Sequence, residues 1–218
     1  MFILPVEEDN LTKRFPLVNV LLIALNIWCY FKTATHPAYE QILFQRGFIP
    51  AHPHLNDAVT SMFLHGGVAH LLGNMYFLFV FGDNVEDRLG KFRYLLFYLL
   101  CGLGAVALQW GRDPLSSVPM IGASGAISGI CALYMVMFPT ARFRWVFFFL
   151  IWPLFSIPTN ALMVVGLWFA EQYLMAVWTP VTVQGGVAFW AHVGGFVTGI
   201  VLYVFLGPKA RKRRKAAS

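Results

Sequence analysis

Charged side chains are scarce in this sequence. Asp, Glu, Lys and Arg make up 12% of the 218 residues, whereas about 25% is usual in a soluble domain. Hydrophobic residues reach 58%, and the mean hydropathy is +0.65. The composition therefore excludes an ordinary soluble enzyme and indicates a membrane protein, and the length favours one compact bundle over two domains.

Cysteine is also rare, and Cys29, Cys101 and Cys131 all fall in apolar segments. No C-x-x-C pair is present, so we expect neither a disulfide framework nor a metal site of that type. The zinc helix motif H-E-x-x-H is missing, and G-x-S-x-G fails because Ala126 stands at its last glycine position. The N-terminus lacks the long apolar run of a cleavable signal peptide, so none is expected.

Six apolar segments are long enough for membrane spans. A helix needs about 20 mostly apolar residues to cross a hydrocarbon core about 30 Å thick. The predicted spans are residues 15–31, 68–85, 94–110, 121–138, 160–178 and 187–206. A further apolar stretch, WVFFFLIWPLFSIP, is broken by Pro153 and Pro158, and we interpret it as interfacial or re-entrant.

The predicted fold is an all-α, six-helix membrane bundle. It divides into an N-terminal cytoplasmic segment (1–14), a membrane domain (15–206) and a basic cytoplasmic tail (207–218). With the N-terminus inside, only Lys32, Arg46 and Arg112 of the 16 basic residues lie outside. Because cytoplasmic loops carry the excess of Lys and Arg, both termini are predicted to be cytoplasmic. The tail sequence KARKRRK is either a surface for anionic lipid headgroups or a stop-transfer charge cluster.

Polar side chains inside spans are costly, so each is a candidate functional residue. In the predicted orientation His70, Asn74, Ser124 and His192 all lie near the outer ends of their spans. At 1.5 Å per residue they share a depth of roughly 3–10 Å below the outer surface. Three separate segments thus present polar groups at one level, which a shared site explains better than chance.

Small residues beside this serine and histidine predict close helix packing. Gly125 and Gly129 form a G-x-x-x-G pair in the fourth span, and Gly195 and Gly199 form another in the sixth. Such pairs let helices approach closely in lipid. His192 shares the glycine face of its helix, so docking the two faces would bring it to the serine.

The same residue types suit acyl transfer. A serine hydroxyl becomes a nucleophile when a base takes its proton, and histidine is well suited to that task. The amide of Asn74, the imidazole of His70 and the backbone N–H of Ser124 are candidate donors to an oxyanion. No carboxylate lies at this depth, so the prediction is a Ser124–His192 dyad.

Each of these residues also has a structural interpretation. Alone, Ser124 is more often a helix cap, His192 a packed polar group and Asn74 a hydrogen-bonding link between helices. Glu171 allows a further alternative, a small transporter with an intramembrane proton site, although an interfacial carboxylate is favoured. The joint pattern of serine, histidines, amide and glycines outweighs these separate interpretations.

Three segments resemble the signature segments of the rhomboid intramembrane serine proteases, in the same order. They are FLHGGVAHLLGNMYFLFVFG, GASG before a helix, and AHVGGFVTG, and the resemblance runs from about residue 60 to 206. It implies that Ser124 is the nucleophile, His192 the base, and His70 and Asn74 the oxyanion-stabilising pair. His65 and the glycines would be supporting residues: Gly122, Gly125, Gly129, Gly195 and Gly199.

The resemblance also places Glu86 and Arg88 in a structural turn after the second span. Two features depart from the family's pattern. Ser128 stands where some members stack a tyrosine on the catalytic histidine, which leaves open what orients His192. The first outer loop lacks the Trp-Arg pair found in other members.

The leading hypothesis is an intramembrane endopeptidase that cleaves in or beside the transmembrane segments of single-span or multi-span substrates. The resemblance implies substrates with an unstable helix and a small residue before the scissile bond. We expect a multi-pass protein of a bacterial plasma membrane, with the site facing outward, no cofactor or metal, and no nucleic-acid partner. The alternative is a non-catalytic rhomboid-like protein that binds or escorts membrane clients.

Overall fold

The computed structural model describes residues 2–9, 11–179 and 186–207, and the basic tail lies outside them. Helices dominate the described chain, and one small antiparallel sheet joins them. The helices are α1 (Leu17–Ala34), α2 (Tyr39–Arg46), α3 (Leu55–Thr60), α4 (Val68–Leu89), α5 (Lys91–Arg112), α6 (Ser124–Met137), α7 (Ala161–Trp178) and α8 (Phe189–Leu206). The strands are β1 (Phe2–Glu7), β2 (Arg142–Phe149) and β3 (Trp152–Asn160).

Each of the six predicted spans contains a helix. By length and composition, α1, α5, α7 and α8 are long and apolar enough to cross a membrane. A fifth candidate is the pair Leu55–Phe63 and Val68–Leu89, which is bent by 89°. Helix α6 is apolar but has only 14 residues. The described residues therefore contain four or five candidate spans, rather than six of full length.

Helix α6 lies at the centre of the bundle. All its residues from 125 to 134 are buried, and it packs against α4, α5 and α8. The outer helix α1 instead exposes large apolar side chains such as Leu21 and Trp28. Apolar exposure on the outside of a bundle fits contact with lipid rather than water.

The two glycine pairs form the contact between α6 and α8. A methyl group on Gly195 would overlap the carbonyl of Gly125, and one on Gly199 would press on the carbonyl of Gly129. A methyl group on Gly129 would also collide with the side chain of Cys101 on α5. Only hydrogen fits at these positions, so the glycines set how closely the backbones approach.

The all-α prediction is wrong in one region, because the hairpin that follows α6 forms a three-stranded sheet with the N-terminal strand β1. Strand β2 pairs with β3 in a hairpin and with β1 on its other side, both antiparallel. The stretch interpreted as interfacial or re-entrant is this hairpin. Pro153 and Pro158 lie on the edge strand β3, where a missing N–H costs no ladder bond. The aromatic and β-branched residues of β2 favour a strand.

The N-terminal segment is part of the fold rather than a separate tail. Two exposed ion pairs, Arg142–Asp9 at 2.7 Å and Arg144–Glu8 at 2.6 Å, fasten its end to β2. Glu86 at the end of α4 accepts backbone N–H bonds from Val18 at 3.2 Å and from Asn19 at 2.7 Å. The carboxylate thereby caps the start of α1, where a negative charge stabilises the helix.

Candidate active site

Ser124 is the first residue of α6 and follows a glycine turn. Gly122 has a φ of +120°, a conformation that favours glycine, and its N–H donates to the carbonyl of Ser61 at 2.9 Å. A side chain on Gly122 would also meet the imidazole of His70. The turn therefore presents both the hydroxyl and the backbone N–H of Ser124 at the start of α6, where the first N–H groups lack intrahelical partners.

His192, in the first turn of α8, contacts this serine. Its Nε2 lies 2.8 Å from Oγ of Ser124, and its side chain is buried. The start of α8 is held to α5 because the N–H of Ala191 donates to Oε1 of Gln109 at 3.2 Å. A serine hydroxyl within hydrogen-bond distance of an imidazole is the arrangement that activates a nucleophile.

Two residues of α7, neither singled out from the sequence, contact the other side of this imidazole. Oε1 of the buried Gln172 lies 2.6 Å from Nδ1 of His192. The ring of Trp168 lies 6.0 Å from the imidazole, centroid to centroid, and Phe189 meets it edge-on at 6.4 Å. Trp168 and Gln172 are four residues apart on one helix face, a spacing that could have flagged this amide inside an apolar span.

His70 and Asn74 lie one turn apart on α4 and face the same cavity as Ser124 and His192. Asn74 is buried, and its Nδ2 has no hydrogen-bond partner within the described residues. Buried polar groups are nearly always paired, so an unpaired donor at a cavity wall points to a ligand or water. The imidazole of His70 lies beside the Gly122 turn.

His65 and Ser128 lie behind the cavity surface. The buried ring of His65 packs edge-on against His70 with 5.1 Å between centroids, and its carbonyl accepts a bond from the hydroxyl of Tyr39 at 2.8 Å. Ser128, which stands where some family members have a stacked tyrosine, is fully buried and donates to the carbonyl of Ser124 at 2.7 Å. Its hydroxyl is therefore hydrogen-bonded within α6, and Ser128 does not line the cavity.

The cavity has a volume of about 1070 Å³. Small residues such as Ala69 and Gly73 line it near Asn74, and the guanidinium of Arg112 stacks 4.5 Å above the ring of Trp190 at its wall. Its volume lies at the upper end of the range for ligand pockets, which is about 300–1,000 Å³.

Comparison with known proteins identifies the family of the chain. The profile of the Rhomboid domain matches residues 52–209. Rhomboid-like protein 11, chloroplastic, from Arabidopsis thaliana is 39% identical over 79 residues, 36% of this chain and 28% of that protein. The rhomboid YdcA of Bacillus subtilis (strain 168) is 29% identical over 140 residues, 63% of this chain and 70% of that protein.

Rhomboid protease AarA of Providencia stuartii is 35% identical over 89 residues, 35% of this chain and 32% of that protein. The matched regions of the Arabidopsis and Providencia proteins thus cover about a third of their lengths or less. The Rhomboid domain profile, in contrast, covers well over half of this sequence. The chain therefore belongs to the rhomboid family of integral membrane proteins.

Proposed function

We propose that this rhomboid is an intramembrane serine endopeptidase. The observation that carries the proposal is the 2.8 Å contact between Oγ of Ser124 and Nε2 of His192 at the wall of a large cavity. A serine that served only as a helix cap would bond to a backbone N–H of its own helix. The hydroxyl of Ser124 instead meets an imidazole from another helix, as acyl transfer requires.

In the proposed reaction, Oγ of Ser124 attacks the scissile carbonyl while Nε2 of His192 takes the hydroxyl proton. The tetrahedral intermediate collapses, and His192 gives that proton to the leaving amine, which departs as the new N-terminus. A water molecule then attacks the acyl-enzyme, again losing its proton to His192. Collapse of this second intermediate releases the new carboxyl terminus and returns the proton to Ser124.

The developing oxyanion requires preorganised donors. Three candidate donors lie at the cavity: the backbone N–H of Ser124 at the positive end of α6, Nδ2 of Asn74, which has no partner among the described residues, and the imidazole of His70 beside Gly122. The proposed oxyanion site thus combines donors from α4 and from the start of α6.

The short α6 supports a site recessed below the membrane surface. Its 14 residues span about 21 Å, roughly 9 Å less than the hydrocarbon core. We propose that six helices cross the membrane with both termini cytoplasmic, so that Ser124 lies below the outer surface of a bacterial plasma membrane. The basic tail would contact anionic lipid on the inner side.

The proposed substrates are membrane proteins with one or several spans, cut in or beside a transmembrane segment. A helix that unwinds easily exposes its scissile carbonyl, and a small residue before that bond fits beside Ala69 and Gly73. A non-catalytic client-binding role would not need an imidazole on the serine hydroxyl. The transporter alternative is weaker, because Glu171 is exposed on α7.

A fluorophosphonate probe tests the proposal directly. We expect the detergent-solubilised wild-type protein to be labelled at Ser124, and Ser124→Ala to remain unlabelled while keeping its thermal midpoint. Incubation with a transmembrane substrate should give two fragments with the wild type only. Absence of labelling and of cleavage in a well-folded preparation would favour the client-binding alternative.

A further inference from the structure

The side-chain amide of Gln172 contacts the ring nitrogen of His192 that does not contact Ser124. Its Oε1 lies 2.6 Å from Nδ1, while Nε2 of the same ring lies 2.8 Å from Oγ of Ser124. Gln172 is 7% exposed and His192 is 8% exposed, so water does not compete for this contact. The three side chains form a line from α7 through α8 to α6.

The chemistry of the imidazole assigns the protons along that line. A neutral imidazole carries one N–H, and the bond made by one nitrogen decides the state of the other. An amide oxygen can only accept, so Nδ1 must carry the proton and donate it to Gln172. Nε2 is then left with its lone pair toward the hydroxyl of Ser124, as a general base requires.

We propose that Gln172 is a positioning residue that fixes the tautomer and the ring orientation of His192. The proposal rests on the function proposed above and adds a third member to the Ser–His pair, supplied by α7. The amide takes the place that a carboxylate occupies in a Ser–His–Asp triad. It does so without placing a charge in a buried site, which would be costly.

The orientation of the amide matters, because its NH₂ group at Nδ1 would impose the opposite tautomer. Nε2 of Gln172 lies 3.5 Å from Oε2 of Glu171, a weak contact that favours the orientation in which Oε1 faces the histidine. The ring of Trp168, which is on α7 like Gln172, lies beside the imidazole of His192. Among the described residues, the other ionisable groups that line the cavity with His192 are His70, Arg112 and Asp113, and Glu171 contacts Gln172.

Two substitutions separate positioning from packing. Gln172→Met keeps the length and unbranched shape of the side chain but removes the acceptor. Gln172→Glu keeps the acceptor and adds a charge. Leu174→Met is the matched control, because it introduces the same side chain on α7 at an exposed apolar position.

We expect Gln172→Met to lower kcat by about 10–100-fold, by analogy with the loss that follows removal of the outer hydrogen-bond partner of a metal-ligating histidine. KM and the thermal midpoint should change little. Gln172→Glu should retain most of kcat, and the acid limb of its pH–rate profile should move to higher pH, because a carboxylate stabilises the imidazolium. Leu174→Met should behave as the wild type.

A second measurement does not depend on activity. In protein labelled with ¹⁵N-histidine, the ring signals of His192, identified by their loss in His192→Asn, should report the Nδ1–H tautomer in the wild type and a mixture of tautomers in Gln172→Met. If the fluorophosphonate fails to label Ser124 but this tautomer shift occurs, the proposed function fails while the assignment of Gln172 stands.

Two results would overturn the proposal. One is a Gln172→Met variant with wild-type kcat and unchanged His192 ring signals. The other is an equal loss of activity in the Met and Glu variants together with a lower thermal midpoint, which would make Gln172 a packing residue only.

Discussion

The carboxylate of Glu7, on the first strand, accepts a hydrogen bond from the hydroxyl of Tyr134, near the end of the helix that begins with Ser124. Nδ2 of Asn84 on α4 donates to both carboxylate oxygens of Glu7 at 3.1 Å. The N-terminal strand is thus bonded directly to the two helices that carry the proposed nucleophile and oxyanion donors.

This contact predicts a pH dependence of stability. Burial, with a smaller contribution from Asp83, raises the pKa of Glu7 from 4.5 to about 7, against the opposing effect of the Tyr134 bond. The folded state therefore holds the proton more tightly than the unfolded state, so the stabilisation is lost as the pH rises from about 4.5 to 7. Glu7→Gln should exceed the wild-type thermal midpoint by a margin that is small at pH 5 and larger at pH 8.

Glu8→Gln is the control for that comparison. It removes one partner of an exposed ion pair with Arg144, which contributes little to stability. A difference between Glu7→Gln and wild type that stays constant from pH 5 to pH 8 would contradict the role assigned to Glu7.

The glycine contact between α6 and α8 predicts a sharp response to one methyl group. Gly195→Ala places a carbon against the carbonyl of Gly125 and must push the helices apart, at a cost of about 1–3 kcal/mol. The same shift moves His192 away from Ser124, so kcat should fall together with the free energy of unfolding. Steady-state kinetics and denaturant titration in micelles measure both.

Gly166→Ala is the matched control, because a methyl group on Gly166 of α7 meets nothing within 4 Å. It should stabilise the helix by about 0.5–1 kcal/mol through its lower backbone entropy in the unfolded chain. If Gly195→Ala behaved like Gly166→Ala, the close approach of α6 and α8 would be wrong.

The positions of the long helices could be predicted from the sequence, because each of these helices lies on a long run of mostly apolar residues. Helix α7 begins one residue after its predicted start, and both end at residue 178. Helix α4 continues four residues beyond its predicted end at 85, because its polar last turn contacts α1 through Glu86 instead of facing lipid. The turn at Gly122 delays the start of α6 to Ser124.

The sheet and Gln172 were harder to predict for different reasons. A continuous apolar run cannot distinguish a hairpin from an interfacial segment by periodicity, and the two prolines suit either one. Gln172 is an uncharged residue beside Glu171, and a carboxylate in an apolar span is the stronger indication of function. The partner of Gln172, His192, is 20 residues away in the sequence. The glycine spacings within α6 and α8 predicted which sides of these two helices face each other. No comparable spacing within α7 indicates which helix packs against the side that carries Gln172.

Asn74 offers a test in which activity and stability separate. Because its Nδ2 has no partner within the described residues, Asn74→Ala breaks no hydrogen bond between that donor and any of them. It removes a donor to the oxyanion, which typically costs about 10²–10³ in kcat, or roughly 3–4 kcal/mol of transition-state stabilisation. Cleavage assays should show that loss, with a nearly unchanged thermal midpoint. Full activity would leave Asn74 as a packing residue.

Topology can be tested by cysteine accessibility in a background without the three native cysteines. Leu115→Cys, in the exposed connection before α6, should react in intact cells with a thiol reagent that cannot cross the membrane. Lys91→Cys, at the start of α5, should react only after permeabilisation. The reverse pattern would place Ser124 near the cytoplasmic surface and contradict the proposed orientation.

The last test separates the dyad from a structural hydrogen bond. Ser124→Ala and His192→Ala should each lower kcat by on the order of 10⁴–10⁶, because nucleophile and base act as one unit. The double variant should then be no worse than either single variant. Wild-type activity should fall at acidic pH, where a protonated His192 cannot accept the proton of the hydroxyl.

Stability should respond far less than activity. Loss of the Ser124–His192 hydrogen bond costs about 1 kcal/mol, so Ser124→Ala should remain folded with a small change in thermal midpoint. Ser156→Ala, which removes a hydroxyl bonded to Arg144 in the sheet, is the matched control and should keep full activity. If Ser124→Ala still cleaved the wild-type substrate in a preparation free of other proteases, Ser124 would not be the nucleophile. Additive losses in the double variant would mean that Ser124 and His192 act independently.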